Sequence, residues 1–128
     1  MNSDASIKIV QAMYESAARG DQAGFIGSLD DKIVVHEPSF LPYGGQHHGK
    51  DGFLKLIGEV FKHMDPASLR VDSYVAEGDV VVAFISLKSL KDGSNIRLAE
   101  RSVVSNGKVV EMKIFFHEFG AMSSVIKR

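Results

Sequence analysis

The stretch NIRLAERSVVSNGKVVEMKIFF, residues 95–116, decides the fold of this chain. On both sides of Asn106-Gly107, apolar and polar side chains alternate, which is typical of β-strands with one buried face. Asn-Gly between two such runs is a strong signal for a tight hairpin. The stretch therefore predicts two antiparallel strands, over residues 95–105 and 108–116, joined by a short turn.

Three further strands are predicted before this hairpin. Turn residues bound strands over about residues 69–76 and 80–90, and the second of these joins the hairpin as an antiparallel meander. A β-branched run predicts an earlier strand over residues 32–37, whose pairing ends at Pro38 because proline has no amide donor. A long loop rich in proline and glycine then reaches Gly49.

Apolar side chains recur with a helical period in three segments of the first half. The predicted helices run from a cap at residues 2–4 to Gly20, from a cap at Asp21 to residues 30–31, and from residue 50 or 51 to Met64. Helices that precede a meander indicate an α+β domain, in which three helices cover one face of a curved sheet and enclose a pocket. The tail over residues 117–128 shows no clear period, and its apolar residues fit either a short helix or a strand edge.

The composition excludes several classes of function. The 128 residues suffice for one domain and are too few for two. The net charge is -1 and there is no basic cluster, so nucleic acid is not an expected partner. There is no cysteine, which excludes disulfides and thiolate chemistry. The lack of a signal-peptide pattern and of a long apolar run favours a cytoplasmic protein with no membrane partner.

Two carboxylates lie within apolar strands. Glu37 follows three apolar residues, and Glu100 lies in the middle of the run over residues 96–104. Burial disfavours the charged form of a carboxyl, so both are expected to have raised pKa values, which suit proton transfer near neutral pH. The alternative is that they point to solvent or pair with Arg97 or Arg101, and an ion pair lowers the pKa of a carboxyl.

Four local motifs are shared with a known superfamily. They are Ala18-Arg19-Gly20-Asp21, Glu37-Pro38, Leu41-Pro42-Tyr43-Gly44-Gly45 and Gly107-Lys108-Val109-Val110-Glu111-Met112. Together with the order of elements, they make the chain resemble the nuclear-transport-factor-2-like superfamily and, within it, the SnoaL-like proteins related to polyketide cyclases and ketosteroid isomerases. The resemblance implies a single SnoaL-like domain over residues 1–128, with a cone-shaped, cystatin-like sheet. It is specific for the fold and not for one reaction.

The ketosteroid isomerases are the most informative comparison within that superfamily. Their general base is an Asp before a Pro, which corresponds to Glu37-Pro38, and their protonated oxyanion donor corresponds to Glu100. The resemblance therefore implies Glu37 as general base and Glu100 as proton donor or electrostatic stabiliser. Their helical Tyr is not matched, because Met13 takes its place and Tyr14 is one residue away, a rotation of about 100° on a helix. Tyr43 is then the expected substitute if a phenol is needed.

Strand alternation and the resemblance also predict which side chains face the pocket. Leu98, Ser102 and Val104 are expected on the same side as Glu100, and Phe84 is expected in the core. The expected substrate contacts are Met13, Tyr14, Tyr43, His47, Phe53, Ile57, Phe61, Ser102, Met112, Ile114 and Phe116. The opposite face mixes charged residues with Val103, Val109 and Phe115, and we expect a homodimer to form through it.

The histidines do not predict a metal site. His36 and Glu37 are adjacent on a strand and point to opposite faces, and His47-His48 has no recognised zinc spacing. Either His47 or His48 contacts a substrate as part of a lid, or both are exposed loop residues. Gly44-Gly45 is explained as a turn and lacks a phosphate-binding fingerprint, so no cofactor is expected.

Two functions fit these observations. The first is a cofactor-independent acid/base enzyme, an isomerase, cyclase or dehydrating lyase, that acts on an apolar carbonyl compound bound in the cone. The second is a noncatalytic ligand-binding or dimeric scaffold protein of the same fold. The pKa values of the carboxyl pair separate the two, because raised values favour the enzyme and depressed values favour a structural ion pair.

Overall fold

A computed structural model describes residues 2–117 of the chain. Its elements are α1 (Ser3–Ala18), α2 (Gln22–Gly27), β1 (Leu29–Glu37), β2 (Gly45–His48), α3 (Gly49–Val60), β3 (Met64–Glu77), β4 (Val80–Ser89), β5 (Asn95–Ser105) and β6 (Lys108–Phe116). The six strands form one curved sheet in the order β2-β1-β6-β5-β4-β3. β1 runs parallel to β6, and every other neighbouring pair is antiparallel. The predicted α+β fold is confirmed.

The helices cover one face of the sheet and form the core with it. α1 lies against β3 and β4, while α3 lies against β1 and β2. Val10 and Met13 of α1, and Phe53 and Leu56 of α3, are buried against the strands. Removing these apolar side chains from water drives the helices onto the sheet.

The predicted caps of the first two helices are confirmed. The Asn2 side chain accepts a hydrogen bond of 2.8 Å from the amide of Ala5. The Asp21 side chain accepts one of 2.9 Å from the amide of Gly24. Gly20 has a φ of 73°, the left-handed conformation that ends α1 and that glycine adopts without strain.

The predicted ends of the second and third helices are wrong. α2 ends at Gly27 rather than at residues 30–31, because Leu29 begins β1 and lies opposite Val109 of β6. α3 ends at Val60 rather than at Met64, which begins β3 opposite Ser89. Leu29 and Met64 are each 1% exposed. Each continues the helical spacing of apolar residues, because the first residue of the strand faces the same core as the preceding helix.

The strand predictions differ from the structure mainly in the first half of the sheet. β5 and β6 have their predicted bounds, whereas β3 begins at Met64 rather than at residue 69. β2 was expected to be loop, but it pairs with β1 as a short edge strand. β3 is the other edge strand, which explains why it accommodates Pro66.

The two faces of the sheet follow the predicted alternation with two exceptions. Leu98, Ser102 and Val104 are buried as expected. Val109 was expected on the outer face but is fully buried, because the pairing of β5 with β6 shifts between Val103 and Val104. Phe84 was expected in the core but is 43% exposed on the outer face.

The backbone amide of His117 donates a hydrogen bond of 2.9 Å to the carbonyl of Arg97. The predictions for residues 118–128 of the tail lie outside the described residues. Between residues 2 and 117, the helices all fall short of the length and apolar character that crossing a bilayer would need.

Candidate active site

A cavity of about 410 Å³ lies between the helices and the sheet. Its walls are mostly apolar and are formed by all three helices and by five of the strands, β1, β3, β4, β5 and β6. The titratable side chains among its lining residues are Tyr14, Asp21, Glu37, Tyr43 and Glu100. No lysine, arginine or histidine of the described chain belongs to that lining. The cavity is therefore largely apolar, and the titratable groups in its lining are carboxyls and phenols.

Glu100 lies on β5 at the inner face of the sheet. Its neighbours across the strands are Ala83 on β4 and Ile114 on β6, which offer its carboxyl no polar contact. The Tyr14 hydroxyl donates a hydrogen bond of 2.5 Å to Oε1 of Glu100. Burial raises the pKa of Glu100 to about 7, although the bond from Tyr14 opposes this rise. Glu100 retains some accessible surface because it faces the hollow of the cavity.

Tyr14 is the phenol of the site, contrary to the expectation that Met13 would take that place. Both residues line the cavity, and Tyr14 reaches across it from α1 to β5. Burial and the neighbouring Glu100 raise the pKa of Tyr14 well above its ordinary value. Tyr14 lies four positions after the buried Val10, so the two share one face of the helix. That spacing is the sequence signal that identifies Tyr14 as inward-facing.

Glu37 is the last residue of β1, opposite Gly45 of β2. Its Oε1 atom is buried and has no hydrogen-bond partner among residues 2–117. Burial raises the pKa of Glu37 to about 8, and the nearby Glu100 adds to the rise. The two carboxyls therefore interact within one cavity, although Glu37 belongs to β1 and Glu100 to β5.

Tyr43 lies in the loop after β1, close to Glu37. Its side chain is 6% exposed, and its hydroxyl has no hydrogen-bond partner in the described part of the chain. Burial raises the pKa of the Tyr43 phenol, with a further contribution from Glu37. Nε2 of His47 donates a hydrogen bond of 2.8 Å to the Tyr43 carbonyl, which fixes the tautomer of that imidazole and holds the loop.

Gly44 keeps this loop closed. A Cβ atom at that position would lie 2.4 Å from the carbonyl oxygen of Pro38. Gly45, which follows it, has a φ of 102° and so uses the conformational freedom of glycine. The Gly44-Gly45 pair is thus explained by a close approach at the first residue and a positive φ at the second.

The cavity brings together most of the expected contact residues. Those that line it are Met13, Tyr14, Tyr43, Phe53, Ile57, Phe61, Met112, Ile114 and Phe116. His47 and Ser102 do not line it. His47 instead supports Tyr43, and Ser102 is fully buried between Val81 and Met112 on the neighbouring strands.

The sequence interpretation missed the part of the lining that comes from β4. Ile85 and Leu87 line the cavity, and both are nearly fully buried. They belong to the alternating series Val81, Ala83, Ile85 and Leu87. This period of two is the signal that places them on the inner face and Phe84 on the outer one.

The outer face of the sheet carries its own polar cluster. Nη1 of Arg101 lies 3.4 Å from Oε1 of Glu111, and Nε2 of His36 lies 3.6 Å from Oε2 of the same residue. His36 and Glu37 therefore point to opposite faces, as predicted. Arg101 is engaged on the outer face and does not pair with Glu100. Among residues 2–117, no group of three histidine or carboxylate side chains is placed to hold a metal ion.

Comparisons with known proteins agree with this architecture. An NTF2-like protein from Burkholderia xenovorans LB400 superposes with a TM-score of 0.79 at 17% identity, over 99% of each chain. Bal32a, from a soil-derived mobile gene cassette, gives a TM-score of 0.83 at 14% identity, over 98% of each chain. TerC, co-crystallized with polyporic acid, gives 0.77 at 18% identity, over 94% of this chain and 97% of that chain.

These identities show a shared fold. None of the proteins with curated functions matches the sequence. The model of the SnoaL-like domain family matches residues 10–112, which include Tyr14, Glu37 and Glu100. The chain belongs to the SnoaL-like domain family, within the NTF2-like fold.

Proposed function

We propose that this protein is a cofactor-independent enzyme that transfers a proton on an apolar carbonyl compound, as in an isomerisation, cyclisation or dehydration. The observation that carries the proposal is the pair of interacting carboxyls, Glu37 and Glu100, in one apolar cavity. With pKa values near neutrality, such a pair holds one proton at physiological pH. One carboxyl then serves as base and the other as acid.

The electrostatics favour this proposal over a noncatalytic scaffold. A structural ion pair with Arg97 or Arg101 would lower the carboxyl pKa values. The pKa values of both carboxyls are instead raised, and Arg101 binds Glu111 on the opposite face. Burying two carboxyls in one cavity whose lining holds no cation of the described chain destabilises a fold, so the arrangement is more readily explained by chemistry than by stability.

The size and the lining of the cavity favour an apolar substrate with one or two polar groups. Its volume of about 410 Å³ is within the range of small-molecule sites. TerC, which shares the fold, was co-crystallized with polyporic acid. A carbonyl substrate suits the site, because a protonated carboxyl stabilises the negative charge that develops on oxygen when a neighbouring carbon loses its proton.

Proton transfer is testable before the substrate is known. A panel of apolar ketones is incubated with the protein in deuterated buffer, and NMR follows the loss of the protons next to the carbonyl. We expect exchange with at least one ketone. The double variant Glu37→Gln/Glu100→Gln, which removes the base whichever carboxyl supplies it, should reduce it by roughly 100-fold or more. Glu77→Gln, at an exposed glutamate at the end of β3, is the matched control and should leave exchange unchanged.

Two outcomes contradict the proposal. Exchange that persists in the double variant would mean that the pair is not responsible. Ketones that bind without any exchange would favour the noncatalytic ligand-binding function.

We further propose that the protein forms a homodimer through the outer face of the sheet. Phe84, Ala99 and Phe115 lie opposite one another on three neighbouring strands. Phe84 is 43% and Phe115 is 53% exposed, so the row presents two aromatic rings to solvent. A second copy of the chain would bury them, since the same face on each subunit is self-complementary in a twofold dimer.

A further inference from the structure

We propose that Glu100, held by Tyr14, is the charged carboxylate that takes the substrate proton, whereas Glu37 is protonated and donates a hydrogen bond to the substrate oxygen. This assignment reverses the roles that the resemblance to ketosteroid isomerases implies for the two residues. It rests on the proposed function and specifies which carboxyl performs each half of it.

The two phenols of the cavity, Tyr14 and Tyr43, differ in their hydrogen bonding. Tyr14 donates a hydrogen bond to Oε1 of Glu100. Tyr43, the phenol near Glu37, makes no such bond, and both its hydroxyl and Oε1 of Glu37 lack a partner among residues 2–117. A donated hydrogen bond stabilises a carboxylate more than a carboxylic acid. The negative charge of the pair is therefore better accommodated on Glu100.

The other titratable groups around the pair also favour a neutral Glu37. The remaining titratable residue of the cavity lining is Asp21, at the start of α2. Its Oδ1 atom accepts a hydrogen bond from the amide of Gly24 and so caps α2. Its Oδ2 atom lies 3.3 Å from Nη2 of Arg19. No cation of residues 2–117 lines the cavity to stabilise a charge on Glu37. Protonated Glu37 therefore avoids an uncompensated charge beside charged Glu100.

These protonation states allow a complete proton transfer within the cavity. Tyr14 engages Oε1 of Glu100, which leaves Oε2 to remove a proton from the carbon next to the substrate carbonyl. The electron pair of the broken C–H bond moves toward the carbonyl oxygen, where the O–H of Glu37 donates to the developing charge. Return of the proton from Glu100 to another carbon of the same conjugated system completes an isomerisation and restores both carboxyls. No oxidant or cofactor is needed for this balance.

The test is a titration of the individual carboxyls. Protein labelled with ¹³C at the glutamate carboxyls is followed by NMR from about pH 3 to about pH 9, a range that includes the ordinary glutamate pKa of about 4.3. Glu37→Gln and Glu100→Gln assign the two signals. As the pH rises, we expect the first proton that the pair releases to come mainly from Glu100. We expect Tyr14→Phe to raise the pKa of Glu100 and to move part of the charge to Glu37.

Tyr43→Phe is the matched control, because it makes the same chemical change to a cavity phenol that binds no carboxyl. It should leave the order of ionisation unchanged. A wild-type titration in which Glu37 loses the first proton would overturn this assignment while leaving the proposed proton-transfer pair intact. Ordinary pKa values near 4.3 for both carboxyls would overturn the proposed function as well. The wild-type titration decides the order even if Tyr14→Phe fails to fold.

Discussion

The Tyr14 hydroxyl lies 2.5 Å from Oε1 of Glu100 and joins α1 to β5 between residues 86 positions apart in the sequence. The bond does two things at once. It holds the first helix over the sheet, and it provides Glu100 with a donor that Oε1 of Glu37 lacks among residues 2–117. A structural contact and an electrostatic asymmetry thus depend on the same pair of atoms.

Removal of the Tyr14 hydroxyl is expected to destabilise the fold. Tyr14→Phe should lower the free energy of unfolding by about 1.5–3 kcal/mol, since hydrogen bonds to charged groups contribute in that range. The measurement is urea unfolding at neutral pH, followed by circular dichroism. Tyr43→Phe is the control, because the Tyr43 hydroxyl is buried without a partner among residues 2–117 and its removal leaves no broken bond. A larger loss for Tyr43→Phe than for Tyr14→Phe would contradict the assigned hydrogen bond.

The stability of the protein is expected to fall as the pH rises from about 4.5 to about 8. In the folded state, the pKa of Glu37 is about 8 and that of Glu100 about 7, each raised from 4.5. The folded chain therefore binds more protons than the unfolded chain in this window, and unfolding releases them. Stability then decreases with increasing pH, by up to about 1.4 kcal/mol per pH unit for each group.

Urea unfolding of wild type and of the double variant Glu37→Gln/Glu100→Gln measures this contribution. Glutamine resembles the protonated carboxyl, so the double variant should lack the decline and be more stable than wild type above about pH 8. Glu77→Gln, at an exposed position, should retain it. Parallel pH profiles for wild type and the double variant would show that the carboxyls are not perturbed.

The site also shows how far sequence reasoning reaches. Apart from the edge strand β2, the order of helices and strands follows from local patterns, as do a cap within residues 2–4, the cap at Asp21 and the alternation in β5, and the structure confirms them. The ends of α2 and α3 do not, because Leu29 and Met64 extend a helical spacing while their backbones pair in strands. Local periodicity reports which side chains are buried and does not report where the hydrogen bonding changes.

Tyr14 illustrates the same limit at the site. A one-residue offset on a helix suggested that its phenol would miss the carboxyl. The direction of a long side chain, however, depends on how α1 packs over β3 and β4, which only the tertiary structure specifies. The burial of Glu37 and Glu100 could be predicted from their apolar neighbours in the sequence. The hydrogen bond from Tyr14, which distinguishes the two, could not.

The outer face is expected to hold two subunits together. Phe115→Glu should convert a dimer of the 14.0 kDa chain into a monomer, because it replaces one of the two exposed rings of the row with a charge that the interface would bury. Sedimentation velocity gives the mass directly. Leu90→Glu is the control, since Leu90 is 54% exposed in the turn after β4 and away from that row. A wild-type protein that sediments as a monomer would contradict the proposed interface.

The cavity is expected to bind apolar aromatic compounds, and filling it should weaken that binding. Ile57 projects from α3 into the cavity, so Ile57→Trp occupies space that a ligand needs. We expect the affinity for naphthalen-2-ol, measured by NMR shift changes, to fall by roughly tenfold or more, which corresponds to about 1.4 kcal/mol of binding free energy. Lys55→Trp places the same ring on the exposed side of α3 and should bind like wild type.

Equal affinities for the two variants would mean that the probe binds elsewhere. Binding lost in both would point to damage of α3, which the amide spectrum of each variant would reveal. Only loss confined to Ile57→Trp identifies the space beside Glu37 and Glu100 as the ligand site.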